Sequence, residues 1–205
     1  MPLIMKNCYF DDRVDLSEAR AVSLSLAGSR FPSFRGYGLQ VDGDVDCAGC
    51  HGGQIDIFGA RIGGRLWLTA AELDGIGSGY ALNAPDLAVD GGVYCRDFRA
   101  VGVNLFGATI GSTLELDGAA LSSQVGPAFR GPGLSVKADM RCGSGFNATN
   151  VVDMFGAHIG GQLWFNDARL DNGDGLSALN APQIYVGGGL YFNGQFSGKH
   201  SRPVR

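Results

Sequence analysis

The sequence predicts an all-β solenoid: a four-sided parallel β-helix of about eight coils. Three features carry this expectation. Glycine supplies 34 of 205 residues, the chain repeats itself, and its apolar residues fall in pairs two positions apart. The glycine content is more than twice the usual ~7%. Collagen is excluded, because no Gly-X-Y period exists and only 7 prolines occur. An apolar share of 45% and a charged share of 18% belong to a folded chain rather than a disordered one.

The repeat comes first in the argument because it dictates the architecture. IFGARIGGRLWLTAAELDG from Ile57, LFGATIGSTLELDGAAL from Leu105 and MFGAHIGGQLWFNDARLDNG from Met154 align, with starts 48 and 49 residues apart. VDLSEARAVSLSLAGSRF from Val14 is a fainter copy. A second unit lies between them: ALNAPDLAVDGGVYCRDF from Ala81 returns as ALNAPQIYVGGGLYFNGQF from Ala178, with weaker versions from Ser33 and Ala128. The two units are themselves related, since Ile62 to Leu68 superposes on Val89 to Cys95. Each unit is therefore one coil.

Within a coil the pairs are Ile55/Ile57, Ala60/Ile62, Leu66/Leu68 and Ala71/Leu73, and the next coil repeats them at Leu82/Ala84, Leu87/Val89, Val93/Cys95 and Phe98/Ala100. A spacing of two is a strand period, with both pair members inward and the residue between them outward. Four pairs per coil give four sides. At ~4.8 Å per rung, the coils stack into a rod of roughly 38 Å. Residues 1–13 are expected to cap the first coil, 14–196 to form a single β-helix domain, and 197–205 to be a flexible polar tail. The doublets Gly63-Gly64, Gly91-Gly92, Gly160-Gly161 and Gly187-Gly188 are expected at one corner, in bends that favour positive φ. Longer corner loops occupy alternate coils at 74–79, 122–127 and 171–177.

Ala60/Ile62, Ala71/Leu73, Ala108/Ile110, Ala119/Leu121, Ala157/Ile159 and Ala168/Leu170 place a small residue two before a central aliphatic one. In this the chain resembles the pentapeptide-repeat proteins over about residues 14–196, and most closely a degenerate actinobacterial-type subgroup with A-x-I-G-G-x-L-x-L. The chain departs from that pattern in its six-residue steps at the Gly-Gly corner and in lacking most of the Asp/Asn after the Ala. The resemblance implies a right-handed quadrilateral β-helix. Among functions it implies topoisomerase protection by duplex mimicry.

Motifs of catalysis and metal binding are sparse. Cys47-Ala-Gly-Cys50-His51 spells the CxxCH of haem attachment, yet Cys47 aligns with Leu68, Cys95 and Cys142, and Cys50 with Ala71 and Phe98, so both thiols belong in the core. His51, His158 and His200 fall on distant coils or in the tail and cannot share a site. No HExxH, P-loop, GxSxG or Rossmann fingerprint occurs. No metal or cofactor is expected. The N-terminus carries no secretory pattern, which together with five cysteines, an odd number, suggests a reducing, cytoplasmic setting. A net charge of −4 and the absence of long apolar runs disfavour nucleic-acid and membrane partners.

The outward residues of the third side form the most informative line: Ser25, Asp46, Trp67, Tyr94, Glu115, Arg141, Trp164 and Tyr191. Both tryptophans are on it, each followed by a tyrosine one coil later, with an expected Glu115–Arg141 ion pair between the two aromatic pairs. If each ring exposes ~100 Å² or more, the four make a recognition stripe of several hundred Å². The first side carries Asp15, Arg35, Asp56, Asn83, Asn104, Arg130, Asp153 and Asn180 outward, and the fourth side the trio His51, Glu72 and Arg99. Mixed signs in a column suit solvated cross-strand pairing.

The expected function is a non-catalytic binding or assembly module whose aromatic stripe (Trp67, Tyr94, Glu115, Arg141, Trp164, Tyr191) engages a partner protein, a second copy or an elongated small ligand. An alternative is an enzyme acting on an apolar or carbohydrate-like molecule in an exterior groove, with Glu115 as acid/base and Arg141 as fixed cation. A second alternative is a topoisomerase-protecting DNA mimic. Duplex DNA carries one charge per ~1.7 Å, so a rod of this length would want about twenty negative charges. The last coil is followed only by a short polar segment, so it is expected either to dimerise or to continue in a longer parent solenoid.

Overall fold

The structure, a computed structural model, describes residues 1–75, 79–173 and 177–197. Among the described residues there is no helix, and 29 strands, most of them two residues long, make up the fold. The pairings are parallel, and each strand meets the equivalent strands one turn before and one turn after it. The chain is a parallel β-solenoid of about eight turns. One turn takes 21 residues from Ser25 to Asp46 and 27 from Trp67 to Tyr94, the excess falling between Leu73 and Leu82.

Pairing divides the solenoid into four columns. The first runs from Val14–Asp15 through Leu82–Asn83 to Leu179–Asn180. The second runs from Arg20–Ala21 to Tyr185–Val186 as a separate eight-stranded sheet. The third runs from Leu3–Ile4 through Leu66–Trp67 to the start of Leu190–Ser197. The fourth holds Glu72–Leu73 and Arg99–Val101. Some strands, such as Arg30–Arg35 and His51–Asp56, turn a corner and serve two columns. The expected register holds throughout the third column, and residues 1–13 add a further rung to it, with Leu3 and Ile4 paired to Leu24 and Ser25.

Alternation sets the core. The inward members Leu66, Val93, Leu114, Met140 and Leu163 are at most 2% exposed, and they belong to one apolar cluster running from Leu24 to Ala178. Each such side chain contributes roughly 1.5–3 kcal/mol relative to exposure, so the solenoid is held by a long thin core rather than by any one layer. Corners between the third and fourth columns are four-residue turns. The Ala71 amide donates to the Leu68 carbonyl at 3.1 Å, with Ala70 at φ +53, and one turn earlier the Cys50 amide donates to Cys47 with Gly49 at φ +62.

The glycine doublets do not do what their sequence suggests. Gly63 and Gly64 have no positive φ. They are required because successive rungs approach too closely for a side chain: a Cβ on Gly63 would lie 2.3 Å from the Asp42 carbonyl oxygen, and one on Gly64 2.2 Å from Asp44 Oδ1. Left-handed conformations belong instead to the corner turns.

Candidate functional site

The third column brings every residue of the expected stripe into one line. Asp46 pairs with Trp67, Trp67 with Tyr94, Tyr94 with Glu115, Glu115 with Arg141, Arg141 with Trp164, and Trp164 with Tyr191. Parallel in-register pairing puts rings one rung apart, close to stacking distance. Trp67 and Tyr94 stack at 4.4 Å between centroids with planes 18° apart, and Trp164 and Tyr191 at 4.2 Å and 14°.

That stacking changes the expected exposure. Each ring covers a face of its neighbour, so Trp67, Tyr94 and Trp164 are half-buried and only Tyr191, at 40%, is classed with the exposed aromatics. The continuous patch is instead two separate ring pairs, each leaving its indole with one face toward the preceding rung.

Glu115 and Arg141 do not form the ion pair expected between the two stacks. Arg96, at the corner after Cys95, donates through Nε to Glu115 Oε1 at 3.0 Å, and its Nη2 reaches the same oxygen. Arg141 Nη2 instead meets Asp117 Oδ2 at 3.0 Å, and the other oxygen of Asp117 accepts the Gly143 amide at 2.8 Å. Corner residues outcompete the cross-strand neighbour because their side chains approach from beside the column. Glu115 is 9% exposed. As a general acid it would have to release Arg96 before touching a substrate.

Two notches lie against the indoles. One, of about 480 Å³, is bounded by Ile4, Ser25, Asp44, Asp46 and Trp67, where small side chains on two rungs separate a large aliphatic from a large ring. The other, of about 360 Å³, is bounded by Asp117, Asp139, Arg141, Trp164, Asn166 and Asp167. They are built alike. Asp44 Oδ1 accepts the Arg65 amide at 2.8 Å, and Asp139 Oδ1 accepts the Gln162 amide at 2.8 Å. In both, the second glycine of a doublet makes room for the carboxylate, since a Cβ on Gly64 or Gly161 would lie 2.2 or 2.3 Å from it.

A larger concavity, of about 800 Å³, lies elsewhere, on the fourth column, and is lined by Arg30, Phe31, His51, Glu72, Leu73 and Arg99. His51 Nε2 is 3.5 Å from Glu72 Oε2, and Arg99 Nε is 3.9 Å from Glu72 Oε1. Nδ1 of His51 is shielded from solvent and has no partner among the described residues. Glu72 lies between an imidazole and a guanidinium, as a rung of a surface polar ladder does. The first column is likewise satisfied internally: Asn83 donates to Asp56 at 3.1 Å, Asn104 to Asn83 at 2.9 Å, and Arg130 to Asn104 at 3.1 Å.

The cysteines take the core positions their alignment implied. Cys47, Cys50, Cys95 and Cys142 are at most 2% exposed. The hydrogen bond with Cys50, followed by burial, holds the Cys47 thiol well above its ordinary range, and burial does the same for Cys95 and Cys142. A protonated, enclosed thiol is a poor nucleophile and a poor metal ligand. No group of three or more metal-ligating side chains gathers among the described residues.

One surface escaped the sequence reading. Along the corner between the first and second columns, the Gly38 amide donates to the Phe58 carbonyl, and Tyr37, Phe58, Pro85, Phe106, Pro132, Phe155 and Pro182 occupy equivalent turn positions on successive rungs. Phe58, Phe106 and Phe155 are 48%, 42% and 45% exposed. Their signal was present in the three FGA repeats, but strand alternation assigns no direction to a corner residue. On the rung of Leu190–Ser197, Leu190, Phe192 and Phe196 are 41–50% exposed, whereas their partners Leu163, Phe165 and Leu170 one rung earlier are at most 2% exposed. No family model, no curated protein and no solved structure matches the chain.

Proposed function

We propose that the protein is a binding module whose recognition surface is the third column, and that its solenoid is a divergent relative of the pentapeptide-repeat proteins. The carrying observation is the pair of stacked Trp–Tyr units, each setting its indole against a notch with carboxylates at its edge. An indole face offers apolar area and a negative quadrupole at little entropic cost, which suits a binder. Chemistry has less support, because Glu115 and Arg141 are each committed to another side chain. Native mass spectrometry of the purified protein beside a Trp67→Ala/Trp164→Ala variant tests the reading. The wild type is expected to retain a bound molecule that the variant loses; identical spectra would refute it.

The exposure of Leu190, Phe192 and Phe196 favours a second mode, self-association. Each is paired to a buried residue of the preceding rung and none is covered by the described residues, and pairing with another copy would cover them.

A further inference from the structure

The corner between the first and second columns has a fixed chemical period. Its equivalent turn positions alternate strictly from Phe58 to Pro182, a phenylalanine on one rung and a proline on the next. Rungs of parallel strands lie ~4.8 Å apart, so Phe58, Phe106 and Phe155 recur every ~9.6 Å. Pro85 and Pro132 are shorter and half-buried, which leaves the corner low between the exposed rings. The core does not require those rings, because the residues before them, Ile57, Leu105 and Met154, already fill it. The first column alongside offers donors. Asp56 accepts from Tyr37 Oη at 3.0 Å and from Asn83 Nδ2 at 3.1 Å, and Asn104 Oδ1 accepts from Arg130 Nη1 at 3.1 Å. Asn83 and Arg130 keep further side-chain N–H groups without an acceptor among the described residues. Arg130 is held beside the ridge, its Cζ 4.7 Å from the Phe106 centroid.

We propose that this corner binds a proline-rich segment in the polyproline II conformation, laid along the solenoid axis. Three half-exposed phenyls offer roughly 270 Å², a third of the ~800 Å² per partner that a stable dimer needs, so the ridge suits one narrow chain rather than a second copy. Polyproline II repeats every three residues, or ~9.3 Å. Prolines three apart therefore fall over Pro85 and Pro132, within ~0.3 Å per step of the ring spacing. Same-face side chains of an extended strand recur at ~6.7 Å and are out of register by Phe106. Two turns of an α-helix take ~10.8 Å and are out by over ~2 Å at Phe155. Proline presents a carbonyl acceptor and no N–H, which matches a column whose surplus is donors. The ligand helix is preformed, so little ordering opposes binding.

Fluorescence anisotropy of dye-labelled nonaproline tests this, since nine residues reach ~28 Å and the three rings span ~19 Å. Saturable binding is expected. Unlabelled L-nonaproline should compete, whereas D-nonaproline, identical in composition but opposite in hand, should not. Triproline, which covers one ring interval, should compete at least about tenfold more weakly. Phe106→Ala and, separately, Phe155→Ala should each weaken binding about tenfold or more, with circular dichroism unchanged because both rings are exposed. The Trp67→Ala/Trp164→Ala variant should bind nonaproline as the wild type does, which separates this site from the third column. No saturable binding, equal competition by the D peptide, undiminished binding in both phenylalanine variants, or loss in the tryptophan variant would overturn the proposal.

Discussion

Replacing Gly63 by Ala should damage the solenoid far more than replacing Gly49 by Ala, although Gly49 has the left-handed backbone. Gly49 sits at φ +62 with nothing within 4 Å of a would-be Cβ. One turn later its equivalent is Ala70, which adopts φ +53, so this corner already accepts a methyl group. Strain alone remains, costing about 1 kcal/mol. At Gly63 the Cβ would meet the Asp42 carbonyl oxygen at 2.3 Å and its carbon at 3.1 Å. Neither is the movable end of a side chain. The rungs on both sides are tied by amide bonds, including Gly63 N–H to the Val41 carbonyl at 2.8 Å, so relief requires two rungs to part. Overpacking that cannot relax costs about 3 kcal/mol or more. For a chain of this size each kcal/mol lowers the melting temperature by roughly 2–4 °C. Far-UV circular dichroism should therefore show Gly49→Ala melting about 2–4 °C below wild type and Gly63→Ala at least about 6–12 °C below it. Equal losses would refute the reasoning that rung spacing requires glycine at the doublets.

Three further outcomes follow from burial. A thiol reagent should label Cys8 readily in the native protein and leave Cys47, Cys50, Cys95 and Cys142 unmodified until denaturant is added, because only Cys8 is not buried; rapid native labelling of a second thiol would refute the core placement. Phe146→Ala, at 1% exposure, should cost about 3–5 kcal/mol in urea unfolding, whereas Phe155→Ala, at 45%, should stay within about 0.5 kcal/mol; similar values would contradict the inward–outward assignment. Phe192→Glu should abolish any dimer seen by light scattering while Trp164→Ala leaves it intact; the reverse pattern would assign self-association to the aromatic column.

The columns were legible in the sequence because alternation needs only two inward residues to set a phase, and each pair is apolar. Alternation alone thus puts Trp67, Tyr94, Glu115, Arg141, Trp164 and Tyr191 in line, as their pairing does. What was not legible lies at corners. Arg96 and Asp117 sit in turns, where no period predicts direction, and they claim Glu115 and Arg141. Phe58, Phe106 and Phe155 were invisible as a ridge for the same reason. The doublets were visible but misassigned, since sequence shows a need for glycine without showing whether torsion or contact imposes it.

Hydrogen bonds between turns point along the rod rather than across it, and this governs its response to force. Pulling the two extremities apart loads the outermost turn first and spares those behind it, so the protein should yield as an extensible spring rather than snap. Each release would free the 21–27 residues of one turn, which is about 70–95 Å of extended chain, and a tether drawn by optical tweezers would lengthen in steps of that size.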